Sequence, residues 1–157
     1  MIVKVADLSD EVRQLKFAEQ AATLNAVLAD TPNVAKLRFE SPVEVAAEMY
    51  RHGSDVFLAG KVDSGVSSMC CRCAEEFSAR VGRSFKFLLV QAGAANAEGL
   101  EDDRGLDHYE GDEIDVGRLV VEQALLALEA TPLCTPECKG LCVGCGANLN
   151  SEECGCR

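Results

Sequence analysis

The fold class can be predicted from Ala35–Met49, which reads AKLRFESPVEVAAEM. Apolar and polar residues alternate before and after Ser41-Pro42, so each run has one apolar face. The apolar positions are Ala35, Leu37 and Phe39 before the proline and Val43, Val45, Ala47 and Met49 after it. This period of two predicts two β-strands with a break between them.

Two further strands are predicted C-terminal to this stretch. His52-Gly53-Ser54-Asp55 has the composition of a turn, and a strand then begins at Val56 and runs towards Cys70. A last long strand follows Cys73, with apolar positions at Phe77, Ala79, Val81, Phe85, Phe87 and Leu89. Consecutive strands joined by short turns form an antiparallel meander, either open or curled towards a barrel.

Helices are predicted on both sides of the meander. Leu15–Phe17 alternates like a short strand, and residues 18–30 then carry apolar positions at helical spacing, ending before Thr31-Pro32. Asp115 can cap a second helix, whose apolar residues recur at three- and four-residue steps up to Thr131-Pro132. We therefore predict an α+β domain in which this C-terminal helix packs on the sheet.

The character of the chain changes over residues 92–113, where eight acidic side chains and several glycines are found. Like charges repel one another, so this segment is predicted to be a mobile acidic linker within the domain. It could also serve as a docking strip for a basic partner. The predicted organisation is an α+β domain over residues 1–131, followed by a Cys-rich tail over residues 132–157.

The chain is acidic, with 26 Asp and Glu against 15 Lys and Arg and a formal net charge of -11 at pH 7. Such a field repels phosphate and favours a basic partner, although solubility alone would also explain it. The sequence has no apolar run of 18 residues and no signal peptide, so we expect a cytoplasmic protein with no membrane partner. Nine cysteines in a reducing compartment indicate metal or redox chemistry rather than disulfides.

Six of the nine cysteines lie in the tail, residues 132–157. The tail has few apolar residues, so burial alone cannot offset the entropy lost on ordering it. Structural zinc could, since it contributes about 10–16 kcal/mol of apparent binding free energy in finger peptides. Cys142-x-x-Cys145-Gly has the spacing of a zinc knuckle, and Cys154 and Cys156 are the nearest candidates for the two remaining ligands of a tetrahedral ion.

A second set of ligands can be assembled from the other cysteines. Cys70 and Cys73 lie at the end of the third predicted strand, and with Cys134 and Cys138 they could surround a second Zn²⁺. That partition would staple the tail to the sheet and leave Cys71 as the odd thiol. Alternatively Cys70 and Cys73 are free thiols and the chain binds one ion.

Other readings of the cysteines are less well supported. Cys138-x-x-x-Cys142-x-x-Cys145 matches the spacing of radical enzymes that use S-adenosylmethionine, but no large α/β barrel follows Gly146. A thioredoxin-like role would need a βαβ context, which the glycine-rich surroundings do not supply. Neither His52 nor His108 has a neighbouring nucleophile, and no catalytic motif occurs, so we predict neither an enzyme nor a small-molecule substrate.

Three motifs occur together in this chain. They are Cys70-x-Arg72-Cys73 at a strand end, Asp115 before an apolar helix, and a tail that reads PLCTPECKGLCVGCGANLN over residues 132–150 and ends in Cys154-x-Cys156. This combination closely resembles the YceD family, which has bacterial and plastid members. Val143 stands where the family usually has proline, and Cys71 is an additional thiol; neither difference affects the expected metal site.

The resemblance implies a role in the accumulation of large-subunit ribosomal RNA, and hence in ribosome assembly or stability. Genes of this family commonly lie beside that of a large-subunit ribosomal protein. We therefore expect a non-catalytic zinc-binding factor that acts on large-subunit ribosomal RNA directly or through a basic large-subunit ribosomal protein. The net charge favours the indirect route. The alternative hypothesis is a zinc- or redox-responsive regulator whose tail releases metal on oxidation.

Overall fold

A computed structural model gives the positions of residues 1–31, 36–92 and 106–156. The strands are β1 (Ile2–Lys4), β2 (Arg13–Glu19), β3 (Arg38–Phe39), β4 (Val43–His52), β5 (Asp55–Met69), β6 (Glu76–Gln91), β7 (Leu106–Tyr109) and β8 (Glu113–Asp115). The α-helices are α1 (Ala21–Ala29) and α2 (Val116–Leu126), and a 3-10 helix spans Val5–Asp7.

The main sheet has six strands. Its order is β2-β4-β5-β6-β7, and β3 pairs with β5 beyond the end of β4. Strands β4, β5 and β6 form an antiparallel meander as predicted, but β3, the predicted first strand of that meander, pairs with β5 and not with β4. Strand β7 pairs with β6 in parallel, so the sheet is mixed. The sheet path ends in two different strands, β2 and β7, which do not pair with each other. The barrel considered from the sequence is therefore not closed in the part of the chain that the structure describes.

The hydrophobic core lies between one face of the sheet and the two helices. Alternate residues of β4 and β5 point into it, as the period of two predicts, and the helices contribute the buried Leu24 from α1 and Leu119 and Val120 from α2. Asn25 fixes α1 to β3, because its side-chain amide donates to the Phe39 carbonyl at 3.0 Å and accepts from the Phe39 N–H at 2.9 Å. The remaining side chains of each strand lie on the opposite face of the sheet, which we call the outer face.

The two helices begin for different reasons. The Asp115 carboxylate accepts from the Arg118 N–H at 3.1 Å, which confirms the predicted N-cap of α2. The first helix starts later than residue 18, because Ala18 and Glu19 complete the pairing of β2 with β4. Neither helix that the structure describes is long and apolar enough to cross a membrane.

Three predicted segments differ from the structure or lie beyond it. Residues 93–105, most of the predicted acidic linker, and residues 32–35, including Ala35 of the first predicted strand, lie outside the described residues. Within the range predicted as linker, the structure has β7, whose Tyr109 is buried, and β8 begins at the last residue of that range, Glu113. Strand β8 pairs with β1 in a separate two-stranded sheet.

Gly60, in the middle of β5, has no space for a side chain. An added Cβ would lie 2.6 Å from the Ala46 carbonyl oxygen and 2.6 Å from the Ala47 Cβ. We expect Gly60→Ala to lower the free energy of unfolding by about 1–3 kcal/mol, since overpacking forces paired strands apart. Gly65→Ala is the control in the same strand, because its Cβ would meet only the Ser41 Oγ, at the longer distance of 3.3 Å. Urea denaturation measures both variants, and equal stability would contradict the prediction.

Candidate metal centres

Eight of the nine cysteine sulfurs form two groups of four. In each group the four Sγ atoms lie within 4.8 Å of one another. We call the first group cluster 1; it consists of Cys70, Cys73, Cys134 and Cys138. We call the second cluster 2; it consists of Cys142, Cys145, Cys154 and Cys156. These are the two sets suggested by the sequence, and the exposed Cys71 belongs to neither.

The first knuckle, residues 70–75, is the turn between β5 and β6. The Cys70 N–H donates to the Glu75 carbonyl at 2.8 Å, and the Ala74 N–H donates back to the Cys70 carbonyl at 3.0 Å. The Arg72 N–H points at the Cys70 sulfur at 3.4 Å. Ala74 has a positive φ of 57° because the chain must turn sharply after the second cysteine.

The second knuckle, residues 142–147, repeats this backbone in the tail. The Cys142 N–H donates to the Ala147 carbonyl at 2.8 Å, and the Gly146 N–H donates back to the Cys142 carbonyl at 2.8 Å. The Gly144 N–H lies 3.4 Å from the Cys142 sulfur. Gly146, with φ 77°, occupies the place of Ala74. Two copies of one chelating turn are therefore present, one in the sheet and one in the tail.

Cluster 1 joins the first knuckle to the tail that follows α2. The Sγ atoms of Cys70 and Cys138 are 3.7 Å apart, and so are those of Cys73 and Cys134. Zinc–sulfur bonds of about 2.3 Å in a tetrahedron place sulfurs about 3.8 Å apart, so these spacings fit a four-coordinate ion. Cys70, Cys73 and Cys138 are only 2–3% exposed, which makes cluster 1 a buried site.

Backbone contacts beside cluster 1 hold the tail against the first knuckle. The Leu141 N–H donates to the Arg72 carbonyl at 3.0 Å, and the Cys71 N–H donates to the Pro132 carbonyl at 2.9 Å. The Arg72 guanidinium donates to the Cys138 carbonyl at 2.9 Å. The tail is thus docked on the turn from which two of the four sulfurs come.

Asn150 is a residue whose role sequence reasoning missed. Its side-chain N–H lies 3.3 Å from the Cys138 sulfur, and its side-chain oxygen accepts from the Lys139 N–H at 2.8 Å. Hydrogen bonds of this kind orient metal ligands and stabilise thiolates. The only signal for it was its place at the end of the tail motif, since Asn150 is twelve residues from Cys138 in sequence.

Cluster 2 lies at the surface. Cys145 and Cys156 are exposed, and Val143 at the tip of the second knuckle is fully exposed. The Cys154 sulfur lies 3.1 Å from that of Cys142 and 3.5 Å from that of Cys145, both shorter than the tetrahedral edge. An ion of the size of zinc would therefore spread these sulfurs by about 0.3–0.7 Å, which an exposed loop can accommodate.

The four thiols of cluster 1 do not ionise alike. Burial alone would raise the pKa of Cys70, but backbone N–H groups, among them those of Cys73 and Cys134, lower that pKa to about 6. The Asn150 amide lowers the pKa of Cys138. Burial, together with the neighbouring thiols, raises the pKa of Cys134 to about 12. A cation favours the thiolate at every position, so metal binding here would release protons.

The thiols of cluster 2 also differ in pKa. The hydrogen bond from the Cys154 thiol lowers the pKa of Cys142 to about 6, and the same bond raises the pKa of Cys154 to about 12. A shared proton of this kind is what a metal ion replaces when it binds a set of thiols. Both clusters therefore have the donor chemistry of sites that could hold a metal ion, and cluster 1 also has the tetrahedral spacing.

The fold and the two clusters define the class: an α+β protein whose C-terminal tail is placed to be joined to its sheet by metal–thiolate bonds. Residues 58–157 match the family described as large ribosomal RNA subunit accumulation protein YceD. The chain belongs to the YceD family. The matched region covers both clusters and all of β6 to α2.

Curated relatives come from plants and mycobacteria. The chain is 28% identical over 144 residues to a protein of Zea mays named large ribosomal RNA subunit accumulation protein YCED homolog 1, chloroplastic; the match covers 74% of this chain and 49% of that protein. The homologue of the same name from Arabidopsis thaliana is 28% identical, with 74% and 44% covered. An uncharacterized protein of Mycobacterium bovis is 30% identical, with 62% and 46% covered. The chain thus spans about half the length of these relatives. No solved structure matches it.

Proposed function

We propose that this chain is a non-catalytic, zinc-binding factor that supports the accumulation of large-subunit ribosomal RNA. The observation that carries the proposal is membership of the YceD family over residues 58–157, the region that contains every clustered cysteine. The names of the plant homologues point to the same process. Unpaired thiols throughout the described chain suit a reducing compartment, and we place the protein in the cytoplasm.

Zinc is the proposed ion in both clusters. Four thiolates at tetrahedral spacing suit Zn²⁺ or an iron–sulfur cluster. In each knuckle a backbone N–H points at a cysteine Sγ atom. The surrounding segment has few apolar residues of its own, so an ion there would serve to hold the fold together, as structural zinc does. The proposed ligands are Cys70, Cys73, Cys134 and Cys138 for one Zn²⁺ and Cys142, Cys145, Cys154 and Cys156 for the other. When bound, zinc would supply cross-links rather than catalysis.

The factor could act on the RNA itself or through a basic large-subunit ribosomal protein. The net charge of -11 disfavours phosphate contact and favours the protein route. Binding of the purified protein to isolated large-subunit RNA that persists at physiological salt would overturn this preference.

Deletion of the gene is expected to lower the ratio of large-subunit to small-subunit ribosomal RNA. Gradient sedimentation of ribosomal subunits and quantification of both RNAs measure the effect. Wild-type protein should restore the ratio, and Cys71→Ser should restore it equally, because Cys71 lies outside both clusters. An unchanged ratio in the deletion strain would rule out the proposed function.

A redox-responsive regulator is the second candidate, and the exposure of cluster 2 favours it. Hydrogen peroxide could convert its four thiolates into two disulfides; each disulfide consumes one peroxide and two protons and yields two waters, and zinc leaves. Peroxide-triggered zinc release much faster than that of ordinary structural sites would support this role. Release only on unfolding would exclude it.

A further inference from the structure

The outer face of the sheet carries one continuous apolar row, which we call the outer strip. It consists of one residue from each of four adjacent strands, namely Tyr50, Phe57, Leu88 and Leu106. The register pairs each with the next, so at about 4.8 Å per strand the row is about 14 Å long. All four side chains are half-buried, and the core lies on the other face.

The β4 end of the outer strip is a stacked aromatic pair. The rings of Tyr50 and Phe57 stack with their centroids 4.9 Å apart and an interplanar angle of 9°. The two residues are a cross-strand pair on neighbouring strands, so the backbone fixes their spacing. Aromatic side chains that are ordered before binding lose little entropy when a partner covers them, which is why they anchor many interfaces.

The charges beside the outer strip are mainly negative. Glu48 and Asp55 flank Tyr50 and Phe57 on the same face, two residues away along their strands. Asp10 adds a third carboxylate, since it lies 3.0 Å from the His52 ring at the end of β4. Among the described strand residues, Lys86, two residues from Leu88, is the cation beside the row. With the net charge of -11 on the whole chain, this rim attracts cationic partners.

Further along the outer face the charges alternate in sign. Lys16 and Lys61 share it with Glu44 and Asp63, and Asp63 forms an ion pair with Arg80. Such an arrangement offers no run of cations for a phosphate backbone to follow. An apolar centre with an acidic rim instead suits a polypeptide that carries both apolar and basic side chains.

We propose that the outer strip is the docking surface for a basic segment of a ribosomal protein, with an apolar side chain of that segment seated against Phe57. This inference rests on the proposed function and names the surface through which the chain would bind a ribosomal protein. The acidic rim would steer the segment, and the stacked rings would hold it.

The test places the photo-crosslinking residue p-benzoylphenylalanine at Phe57 in the full chain, and at Leu126 as the control. Leu126 is 54% exposed and lies at the end of α2, on the core side of the sheet. The probes are proteins extracted by salt from the large ribosomal subunit and, separately, isolated large-subunit RNA. We expect position 57, and not position 126, to crosslink to a Lys- and Arg-rich protein. RNA adducts, crosslinked copies of this chain, equal labelling at both positions or no adduct at all would each overturn the proposal.

Affinity provides a second measurement. Phe57→Ala is expected to weaken binding of the captured ribosomal protein by at least about tenfold, as truncation of an aromatic hot spot does, whereas Leu126→Ala should change it less than about twofold. Circular dichroism checks that both variants are folded. If the deletion strain has low large-subunit RNA but position 57 forms no crosslink, the docking surface is refuted and the proposed function is not. Unchanged large-subunit RNA in that strain would refute the proposed function itself.

Discussion

Protein isolated without added metal is expected to contain two zinc ions per chain, and a chelator is expected to remove them in two phases. Each cluster supplies four sulfurs within 4.8 Å, the full ligand set of one tetrahedral ion. Cluster 2 should lose its ion first, because Cys145 and Cys156 are open to solvent. Elemental mass spectrometry gives the stoichiometry, and a chromogenic zinc indicator follows the release.

The second phase should be slower because cluster 1 must open before a chelator can reach it. Three hydrogen bonds join the tail to the first knuckle, from the Leu141 and Cys71 N–H groups and the Arg72 guanidinium. At about 1 kcal/mol each, their loss predicts release roughly 100-fold slower than from cluster 2. Burial of three of the four sulfurs acts in the same direction.

Single substitutions assign each phase to a cluster. Cys138→Ser should leave one ion and abolish the slow phase, Cys154→Ser should leave one ion and abolish the fast phase, and Cys71→Ser should keep both. One zinc in the wild type, with normal binding by Cys70→Ser, would instead support free thiols at Cys70 and Cys73. Iron with sulfide would contradict zinc in either cluster.

The sheet was predictable from sequence where a single face of a strand is buried. In β4 and β5 every second position is mostly apolar, and these residues line the core, whereas Tyr50 and Phe57 are apolar residues on the opposite face. Alternation does not encode which strands close on each other, so it could not distinguish an open sheet from a barrel. Strand β7 was missed because four residues with two charged or polar members give no period, and its parallel pairing with β6 depends on residues distant in sequence.

The cysteine groups were predictable to a greater extent than the strands at the chain ends. A C-x-x-C turn brings two sulfurs together by its own geometry, so Cys70 with Cys73 and Cys142 with Cys145 follow from spacing. The difference in burial between the clusters could not be predicted, since it arises from how residues 132–141 lie on the first knuckle. The hydrogen bonds that Asn150 and Arg72 donate to Cys138 could not be predicted either, because they too depend on how the tail lies on the first knuckle.

Loss of cluster 1 is expected to detach the tail from the sheet, whereas loss of cluster 2 is not. The variants that separate these effects are Cys138→Ser and Cys156→Ser. Among the residues that the structure describes, the apolar contacts beside cluster 1 other than the sulfurs are Phe77 and Leu133, which are only partly buried. A small apolar cluster of this kind cannot replace the roughly 10–16 kcal/mol that structural zinc contributes to ordering a short segment.

Hydrogen exchange at the Leu141 amide reports the detachment directly, because that N–H donates to the Arg72 carbonyl in the sheet. Cys138→Ser should speed its exchange by at least about 100-fold, which corresponds to a loss of about 3 kcal/mol of local stability, and Cys156→Ser by much less.

The main core should survive in both variants, since its buried residues form a cluster separate from the one around Cys70, Cys73 and Cys138. Strand-like circular dichroism should therefore persist while the tail exchanges freely, because the tail and the sheet would then open as separate units. Equal exchange in the two variants would mean that cluster 1 does not staple the tail. Global unfolding of Cys138→Ser would mean that the sheet itself depends on the ion, and that the two apolar clusters are energetically one.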